Sequence, residues 1–160
     1  MEIERKYTIR QLPPDLEQYE TREIEQAYLC MDPVVRVRRS NENYILTYKS
    51  KADPDAAMCV NEEIEARLTR ESYLHLRAKS DANPVTKTRY LIPLQDGLVA
   101  ELDVFHGRLQ GLVFCEVEFP SVEAAESFTT PEWFDRDVST DRRYSNAFLA
   151  TLSSPEEAGL

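Results

Sequence analysis

The sequence predicts an α+β domain built on a closed or nearly closed β-sheet, with charged side chains inside and apolar side chains outside, under flanking helices. Three observations support this. At least seven predicted strands alternate so that one face is almost purely Lys, Arg, Glu or Asp while the other is apolar. Within a strand the charged residues mostly have one sign, and few neutral polar residues lie on these faces. The alternative is an open sheet with its charged face in water, but such a face normally mixes in Ser, Thr, Gln and Asn.

Like charges two residues apart on one face repel, so charges of opposite sign on neighbouring strands must compensate them. The basic pairs are Arg36 with Arg38, Lys49 with Lys51, and Lys87 with Arg89. The acidic pairs are Glu63 with Glu65, Glu101 with Asp103, and Glu116 with Glu118. An interior built from these pairs must be wet or filled by a polyanion and its cations, because unpaired buried charges are costly.

The first predicted strand spans residues 2–9. If it is extended, Glu2, Glu4 and Lys6 share one face, while Ile3 and Tyr7 share the other. Two carboxylates can hold a divalent cation, and the ammonium group one step further along can meet an anionic substrate. The same letters could begin an amphipathic helix, so this signal depends on the recurrence of the pattern further along the chain.

The second strand is predicted over residues 23–30, after a break at 11–14 and a short helix or turn at 15–20. It repeats the Glu-Ile-Glu triplet at Glu23 to Glu25. This triplet could form a second metal site or a solvated strand face. The solvated face is favoured, because no basic residue follows in register.

Strands are predicted over 34–39 and 44–51, joined by a hairpin turn at 40–43. A mobile loop is expected at 52–57, where Asp53-Pro54-Asp55 occurs, and a fifth strand over 58–67. Thr69 is a suitable N-cap for a helix over 70–79.

Three more strands are predicted over 86–92, 98–105 and 112–119, with a hairpin signal at 95–97. Ser121 can cap a helix that reaches about residue 128, and a final helix is expected to begin after Ser139 or Thr140. These elements form a single domain over 1–152, and residues 153–160 are expected to be a flexible tail.

The overall composition excludes several classes of protein. The 160 residues are enough for about one domain, with 42% hydrophobic and 30% charged residues. No apolar run approaches the roughly 18 to 20 residues needed to span a bilayer, and the acidic and basic start is not a secretory signal, so a cytoplasmic protein is expected. The net charge of -10 argues against nucleic-acid or membrane partners, but permits a small phosphorylated ligand bound with metal ions. Cys30, Cys59 and Cys115 are expected to be buried small residues or free thiols.

Several motifs agree in order, spacing and sign with one known family. They are Glu-x-Glu-x-Lys at 2–6, Arg-x-Arg at 36–38, Lys49, Glu-x-Glu at 63–65, Lys-Thr-Arg-Tyr at 87–90, Glu-Leu-Asp-Val-Phe at 101–105, Glu-Val-Glu-Phe at 116–119, and the stretch 140–146. On these motifs the chain resembles the CYTH superfamily, the triphosphate tunnel metalloenzymes, over about residues 1–150. The resemblance implies an eight-stranded antiparallel tunnel that binds a triphosphate with Mg²⁺ or Mn²⁺.

The resemblance also implies roles for individual residues. The implied metal ligands are Glu2, Glu4, Glu116 and Glu118. The implied phosphate-binding residues are Lys6, Arg36, Arg38, Lys49, Lys51, Lys87, Arg89 and Arg142. Catalytic positions follow for Lys87 and for Glu63, Glu65 and Asp103, which would serve a second metal or orient the attacking water. The family often has Lys where Arg142 stands, which keeps the charge but changes the donor geometry.

The expected activity is metal-dependent hydrolysis of inorganic tripolyphosphate to diphosphate and phosphate, by a monomer or a homodimer. Family members also include class IV adenylate cyclases and thiamine triphosphatases, and these remain alternatives. A hypothesis of a different class is a non-catalytic module that binds polyphosphate or a nucleotide. The acidic pairs disfavour it, because an anion receptor has little need for so many carboxylates.

Overall fold

The computed structural model describes residues 1–52, 55–81 and 83–160. In these residues the chain forms nine strands, three α-helices and five short 3₁₀ turns. The strands are β1 (Glu2–Ile9), β2 (Glu20–Met31), β3 (Val34–Ser40), β4 (Asn43–Lys51), β5 (Cys59–Leu68), β6 (Val85–Pro93), β7 (Val99–Phe105), β8 (Val113–Glu118) and β9 (Phe134–Asp137). The helices are α1 (Arg70–Arg77), α2 (Val122–Glu126) and α3 (Asn146–Leu149).

Strands β1 to β8 close into an antiparallel barrel, in the order β1, β8, β7, β6, β2, β3, β4, β5. Strand β1 closes the barrel, because it pairs with β8 over residues 4–7 and with β5 over residues 2–4. The additional strand β9 pairs with β1 at Tyr7 and Ile9, on the edge that β5 uses earlier. The predicted α+β fold with an eight-stranded antiparallel tunnel is confirmed.

The strand register places the charged faces inside the barrel. Glu4 lies across from Glu118, and Lys6 lies across from Glu116. Lys87 on the far side is fully buried, with 0% of its surface exposed. Because side chains alternate along a strand, these positions fix the inward face of every paired strand.

The apolar faces of the strands point outward and are covered. Ile3, Tyr7, Leu102 and Val117 belong to a buried cluster that includes Phe134 of β9. On the other side of the barrel, Tyr73 of α1 packs on Ala27 and Val37. Burial of these side chains stabilises the barrel from outside and leaves its interior to polar groups.

One end of the barrel is filled by apolar side chains. The inward-facing members of this cluster are Tyr28, Val85, Phe105 and Phe114. The C-terminal segment packs on them through Tyr144, whose ring centroid lies 4.9 Å from that of Phe114, and through the buried Leu149. Ala158 and Leu160, in the segment expected to be a flexible tail, also pack against this cluster.

Arg108 fastens the C-terminal segment to the barrel. Its guanidinium donates hydrogen bonds to the carbonyls of Leu149 (3.2 Å), Ala150 (3.2 Å) and Leu152, and to Asn83 (3.1 Å). The last carbonyls of a helix have no partner within the helix. Arg108 therefore supplies the donors that the end of α3 lacks.

Two predicted caps are confirmed. The Thr69 hydroxyl accepts a hydrogen bond from the backbone N–H of Ser72 at the start of α1, and the Ser121 hydroxyl accepts from Ala124 at the start of α2. Each hydroxyl satisfies an N–H group that has no carbonyl partner in the first helical turn.

The 3₁₀ turn at Leu16–Gln18 agrees with the short helix or turn expected at 15–20. Other local predictions need correction. The expected final helix is a 3₁₀ turn at Arg142–Tyr144 followed by the short α3. Strand β9 was not predicted. Of the expected mobile loop at 52–57, Asp53 and Pro54 lie outside the described residues.

Candidate active site

The closed register brings most of the predicted site residues onto the inner wall of one barrel. The inward-facing members are Glu2, Glu4, Lys6, Arg36, Arg38, Lys49, Lys51, Glu63, Glu65, Lys87, Arg89, Glu101, Asp103, Glu116 and Glu118. They come from seven strands, so no single segment contains the site. Opposite charges on neighbouring strands compensate Lys87, Arg89, Lys49 and Glu116, but no carboxylate on a neighbouring strand pairs with Arg36 or Arg38 among the described ion pairs.

An acidic wall is formed by β1 and β8. Burial, with the neighbouring carboxylates Glu116 and Glu2 adding to it, raises the pKa of Glu4 to about 8, although Lys49 and Lys6 oppose this shift. Burial also raises the pKa of Glu118, with Glu2 adding to it. For Glu2 itself, burial outweighs the attraction of Lys49 and raises the pKa. These glutamates lack enough positive charge nearby to stay ionised easily.

Glu116 behaves differently from its neighbours. Burial opposes its ionisation, but Lys6, Arg89 and Lys87 outweigh burial and hold the pKa of Glu116 well below its ordinary value. The Lys6 ammonium lies 3.5 Å from the Glu116 carboxylate and donates a 2.6 Å hydrogen bond to the carbonyl of Tyr144. Glu116 is therefore a charged carboxylate beside acids that tend to hold a proton.

The acidic wall fits a hard divalent cation by its donor chemistry. It presents carboxylate oxygens, which Mg²⁺ and Mn²⁺ prefer, and Glu4 gains its charge readily only if a cation replaces its proton. As the side chains are placed, no three His, Cys, Asp or Glu residues of the described chain gather around one point at ligand distance.

A buried ion-pair network joins β6 and β7. The Lys87 ammonium lies 2.6 Å from the Asp103 carboxylate. Arg89 donates two hydrogen bonds of 2.8 and 2.9 Å to the same carboxylate. Arg89 also pairs with Glu101 at 2.5 Å. Burial lowers the pKa of Lys87 to about 7, although Asp103 opposes this shift. Asp103 has a lowered pKa, because Arg89 and Lys87 outweigh its burial.

Lys49 connects the acidic wall to β5. Its ammonium lies 2.8 Å from Glu2 and 3.4 Å from Glu63. The amide of Asn61 donates a further hydrogen bond of 3.2 Å to Glu2. Lys49 is therefore already shared between two carboxylates before any anion binds.

A basic wall on β3 contrasts with these pairs. Arg36 is buried, and its closest described partner is the Thr47 hydroxyl at 3.5 Å. Arg38 is held by the side-chain carbonyl of Gln26 at 2.9 and 2.7 Å. Burial, with the repulsion of Arg36 and Arg89 adding to it, lowers the pKa of Arg38 to about 9. Among the described ion pairs, neither arginine is matched by a carboxylate, so both keep their charge available for an anion.

Four predicted residues stand apart from this group. Glu65, Lys51 and Glu118 are exposed, although all three face inward by register. Arg142 lies in an exposed 3₁₀ turn, and its neighbour Arg143 pairs with Asp141 at 2.7 Å. The phosphate-binding role of Arg142 stays a prediction.

Several side chains and one backbone carbonyl inside the barrel were not predicted from the sequence. Gln26 and Tyr28 on β2, Thr47 on β4, and the Tyr144 carbonyl all contact the charged network or its neighbours. Gln26 and Tyr28 could have been found, because they lie on the face of β2 opposite to Glu23 and Glu25. The contact of the Tyr144 carbonyl depends on tertiary folding, and no sequence pattern announces it.

The two carboxylates of the second Glu-Ile-Glu triplet lie on the outer face of β2, away from the charged interior, in agreement with the favoured interpretation of an outer strand face. The carboxylate of Glu25 accepts a 2.7 Å hydrogen bond from Tyr73 and lies 3.0 Å from Arg77 of α1. Glu23 accepts a hydrogen bond from the hydroxyl of Thr88.

The end of the barrel opposite to the apolar cluster opens through two cavities. One, of about 390 Å³, is lined by inward-facing residues that include Arg22, Ser40 and Arg67. The other, of about 550 Å³, includes Glu101 and Glu118 among its lining residues. These cavities give access from this end to Arg22, Arg67 and the Glu118 edge of the acidic wall. The described helices are all too short or too polar to cross a bilayer.

A closed antiparallel barrel with facing acidic and basic inner walls defines a triphosphate tunnel protein of the CYTH type. No protein-family model matches the chain. An inorganic triphosphatase of Nitrosomonas europaea is 36% identical over 157 residues, which cover 96% of this chain and 99% of the relative. An inorganic triphosphatase of Acetivibrio thermocellus is 33% identical over 126 residues, covering 78% of this chain and 77% of the relative. A crystal structure of an inorganic triphosphatase superposes with a TM-score of 0.68 and 34% identity, covering 95% of each chain. The chain belongs to the CYTH-like inorganic triphosphatase family.

Proposed function

We propose that the protein hydrolyses inorganic tripolyphosphate to diphosphate and phosphate with the help of Mg²⁺ or Mn²⁺. The observation that carries this proposal is that, among the described residues, one barrel holds arginines without carboxylate partners on one wall and carboxylates with too little positive charge on the other. Arg36 and Arg38 lack carboxylate partners among the described ion pairs, and for Glu4 on the acidic wall Lys49 and Lys6 do not offset burial and the repulsion of Glu116. A triphosphate carrying a divalent cation supplies what both walls need.

The chain of phosphates is bound by the basic side chains that line the barrel. These are Lys6, Arg36, Arg38, Lys49, Lys51, Lys87, Arg89 and, from the C-terminal segment, Arg142. Guanidinium groups match pairs of phosphate oxygens with two parallel hydrogen bonds, whereas the lysines act as compact point charges. Held in this way, the leaving diphosphate develops its negative charge against fixed positive groups, which lowers the barrier.

The metal would be held by Glu2, Glu4, Glu116 and Glu118. When bound, a divalent cation neutralises phosphate oxygens and makes the phosphorus easier to attack. Water then attacks the terminal phosphorus in line with the bond to the leaving diphosphate. That P–O bond breaks as the new one forms.

A carboxylate must accept the proton of the attacking water. Asp103 is unsuited, because Lys87 and Arg89 already occupy its oxygens and lower its pKa. Asp103 instead holds those two cations in place. Glu63 is shared with Lys49, and Glu65 has no ion pair in the described chain. We assign Glu65 as the acceptor and Glu63 as the group that orients the water.

The state of the cysteines bears on the cellular setting. All three cysteines are free thiols, as is typical of a reducing compartment. We propose a cytoplasmic enzyme that acts as a monomer or a homodimer and has no nucleic-acid or membrane partner. Light scattering of the purified chain measures the oligomeric state directly.

The decisive experiment measures phosphate release from tripolyphosphate, ATP and thiamine triphosphate, with Mg²⁺, with Mn²⁺ and with EDTA, beside an assay for cyclic AMP. We expect metal-dependent release that is fastest from tripolyphosphate. Binding without turnover would indicate a receptor module, and formation of cyclic AMP would indicate a cyclase.

The variant Arg38→Ala tests the basic wall, and Arg39→Ala is its matched control, because Arg39 is exposed on the outer face of the same strand. Hydrogen bonds to charged groups contribute about 1.5 to 3 kcal/mol, so kcat/KM should fall roughly 10- to 150-fold in Arg38→Ala. Arg39→Ala should keep wild-type kcat/KM. Equal values in both variants would remove Arg38 from the site.

A further inference from the structure

Gln26 is a fully buried amide inside the barrel, with 0% of its surface exposed. Its side-chain oxygen accepts two hydrogen bonds from Arg38, from Nε at 2.9 Å and from Nη2 at 2.7 Å. Its side-chain nitrogen donates to the hydroxyl of Tyr28 at 3.0 Å. A guanidinium can only donate, so the oxygen of the amide must face Arg38 and the orientation of Gln26 is fixed.

The partner of Arg38 differs in kind from the partners of four other inner cations. Lys6, Lys49, Lys87 and Arg89 each lie against at least one carboxylate. Arg38 receives the same type of support, two hydrogen bonds on one edge, from a neutral group. A carboxylate at position 26 could accept the same hydrogen bonds, but it would cancel the charge that a phosphate must meet.

We propose that Gln26 is a positioning residue that fixes the Arg38 guanidinium toward the triphosphate without neutralising it. This inference rests on the proposed function, in which Arg38 binds phosphate.

The need for such a group follows from the charges around Arg38. Arg36 and Arg89 repel it, and Asp103 attracts it. Without an anchor, the guanidinium would turn away from its two basic neighbours and toward that carboxylate. The amide oxygen engages Nε and Nη2, which leaves the Nη1 edge without a hydrogen bond in the described chain and able to contact an anion.

The experiment compares Gln26→Glu with Gln26→Leu and with the matched control Gln110→Glu, which introduces the same charge at an exposed turn. Each variant is made in the wild-type chain and in Arg38→Ala. The measurements are KM and kcat for tripolyphosphate, the Kd of tripolyphosphate in EDTA by calorimetry, and the thermal unfolding temperature.

We expect Gln26→Glu to raise both KM and Kd about tenfold or more, with a smaller change in kcat, since a neutralised arginine loses a charge-assisted contact. Protonation of the introduced carboxylate restores a neutral partner, so its effect on Kd should shrink as the pH falls. Gln110→Glu should leave all values unchanged. In the Arg38→Ala chain the effect of Gln26→Glu should largely disappear, because the two residues act through one contact.

A merely structural role gives a different pattern. In that case Gln26→Glu, which keeps its acceptor oxygens, would bind tripolyphosphate as the wild type does, and only Gln26→Leu would be impaired, together with its unfolding temperature. An undiminished effect of Gln26→Glu in Arg38→Ala would also overturn the inference. Should Gln26→Leu fail to fold, Gln26→Glu and the double variant still decide. Failure of the wild type to bind or hydrolyse tripolyphosphate would instead refute the proposed function.

Discussion

The main physical constraint on the acidic wall is the cost of ionising buried carboxylates, and Glu4 shows it. In the folded, metal-free protein its pKa rises from an ordinary 4.5 to about 8, first because it is buried and then because Glu116 repels it. Between these values the folded state holds a proton that the unfolded state releases. The resulting contribution to stability is complete below pH 4.5 and is lost as the pH rises through about 8.

The variant Glu4→Gln removes this titration. In EDTA, the unfolding temperature of the wild type should fall more steeply between pH 6 and pH 9 than that of Glu4→Gln, and calorimetry at stepped pH measures the difference. Glu62→Gln is the control, because Glu62 is exposed on the outer face of β5. Turnover with metal should be abolished in Glu4→Gln. Unchanged turnover would count heavily against the proposed metal ligand.

Asp103 shows the cost of leaving buried charged groups without a partner. The variant Asp103→Asn leaves Lys87 and Arg89 without their shared carboxylate. Removing one partner of a buried ion pair typically destabilises a protein by about 3 to 5 kcal/mol. Urea denaturation should show a loss of this order, whereas Asp135→Asn, at a half-exposed position with a 4.0 Å pair, should change stability by less than about 1 kcal/mol. Equal losses would mean that the interior network contributes little.

At the scale of elements, the strands were predictable because their alternation is strong. The charged inner face of every barrel strand except β2 was identified from the sequence, since a period of two fixes the face once a strand is assumed. The caps Thr69 and Ser121 were also predictable, because capping is a local interaction. Strand β9 was not, because only four residues pair and their register depends on β1, which lies more than a hundred residues away in the chain.

The C-terminal segment offers a prediction at the same scale. In Arg108→Ala, the carbonyls at the end of α3 lose their donors, and the segment should loosen. We expect a loss of about 1 to 3 kcal/mol in the free energy of unfolding. Hydrogen exchange should accelerate at the amides of 149–152 more than in the barrel strands.

The control for this loss is Arg70→Ala, at an exposed position on α1. If exchange at 149–152 is as slow in Arg108→Ala as in this control, the guanidinium does not fasten the segment.

The whole molecule is described by a separation of charge across its interior. Acidic residues of β1 and β8 face basic residues of β3, and ion pairs on β6 and β7 lie between them. A divalent cation that binds only the folded state stabilises it by about 2.7 kcal/mol at a hundred times its Kd. For a chain of this size we expect Mg²⁺ or Mn²⁺ to raise the unfolding temperature by about 5 to 10 °C.

The same titration with Glu118→Gln should give a smaller rise, while Glu123→Gln, at an exposed position on α2, should match the wild type. Sodium chloride at equal ionic strength separates specific binding from screening. A rise of the same size in Glu118→Gln would remove this glutamate from the ligand set.

The overall fold could be predicted from the sequence in more detail than the arrangement of the site. Like-charge pairs at Arg36 and Arg38, or at Glu116 and Glu118, require partners from elsewhere, and a closed barrel supplies them. Which cation pairs with which acid is a matter of distances between strands. For that reason the double engagement of Asp103 and the neutral partner of Arg38 emerge only from the structure.

The apolar side chains that fill one end of the barrel, Tyr28 among them, also affect how substrate enters and product leaves. Tyr144 and its neighbours occupy that end, and both cavities lie at the other end of the described barrel. We therefore expect diphosphate and phosphate to leave by the route along which the next substrate arrives, so that accumulated product competes with its entry.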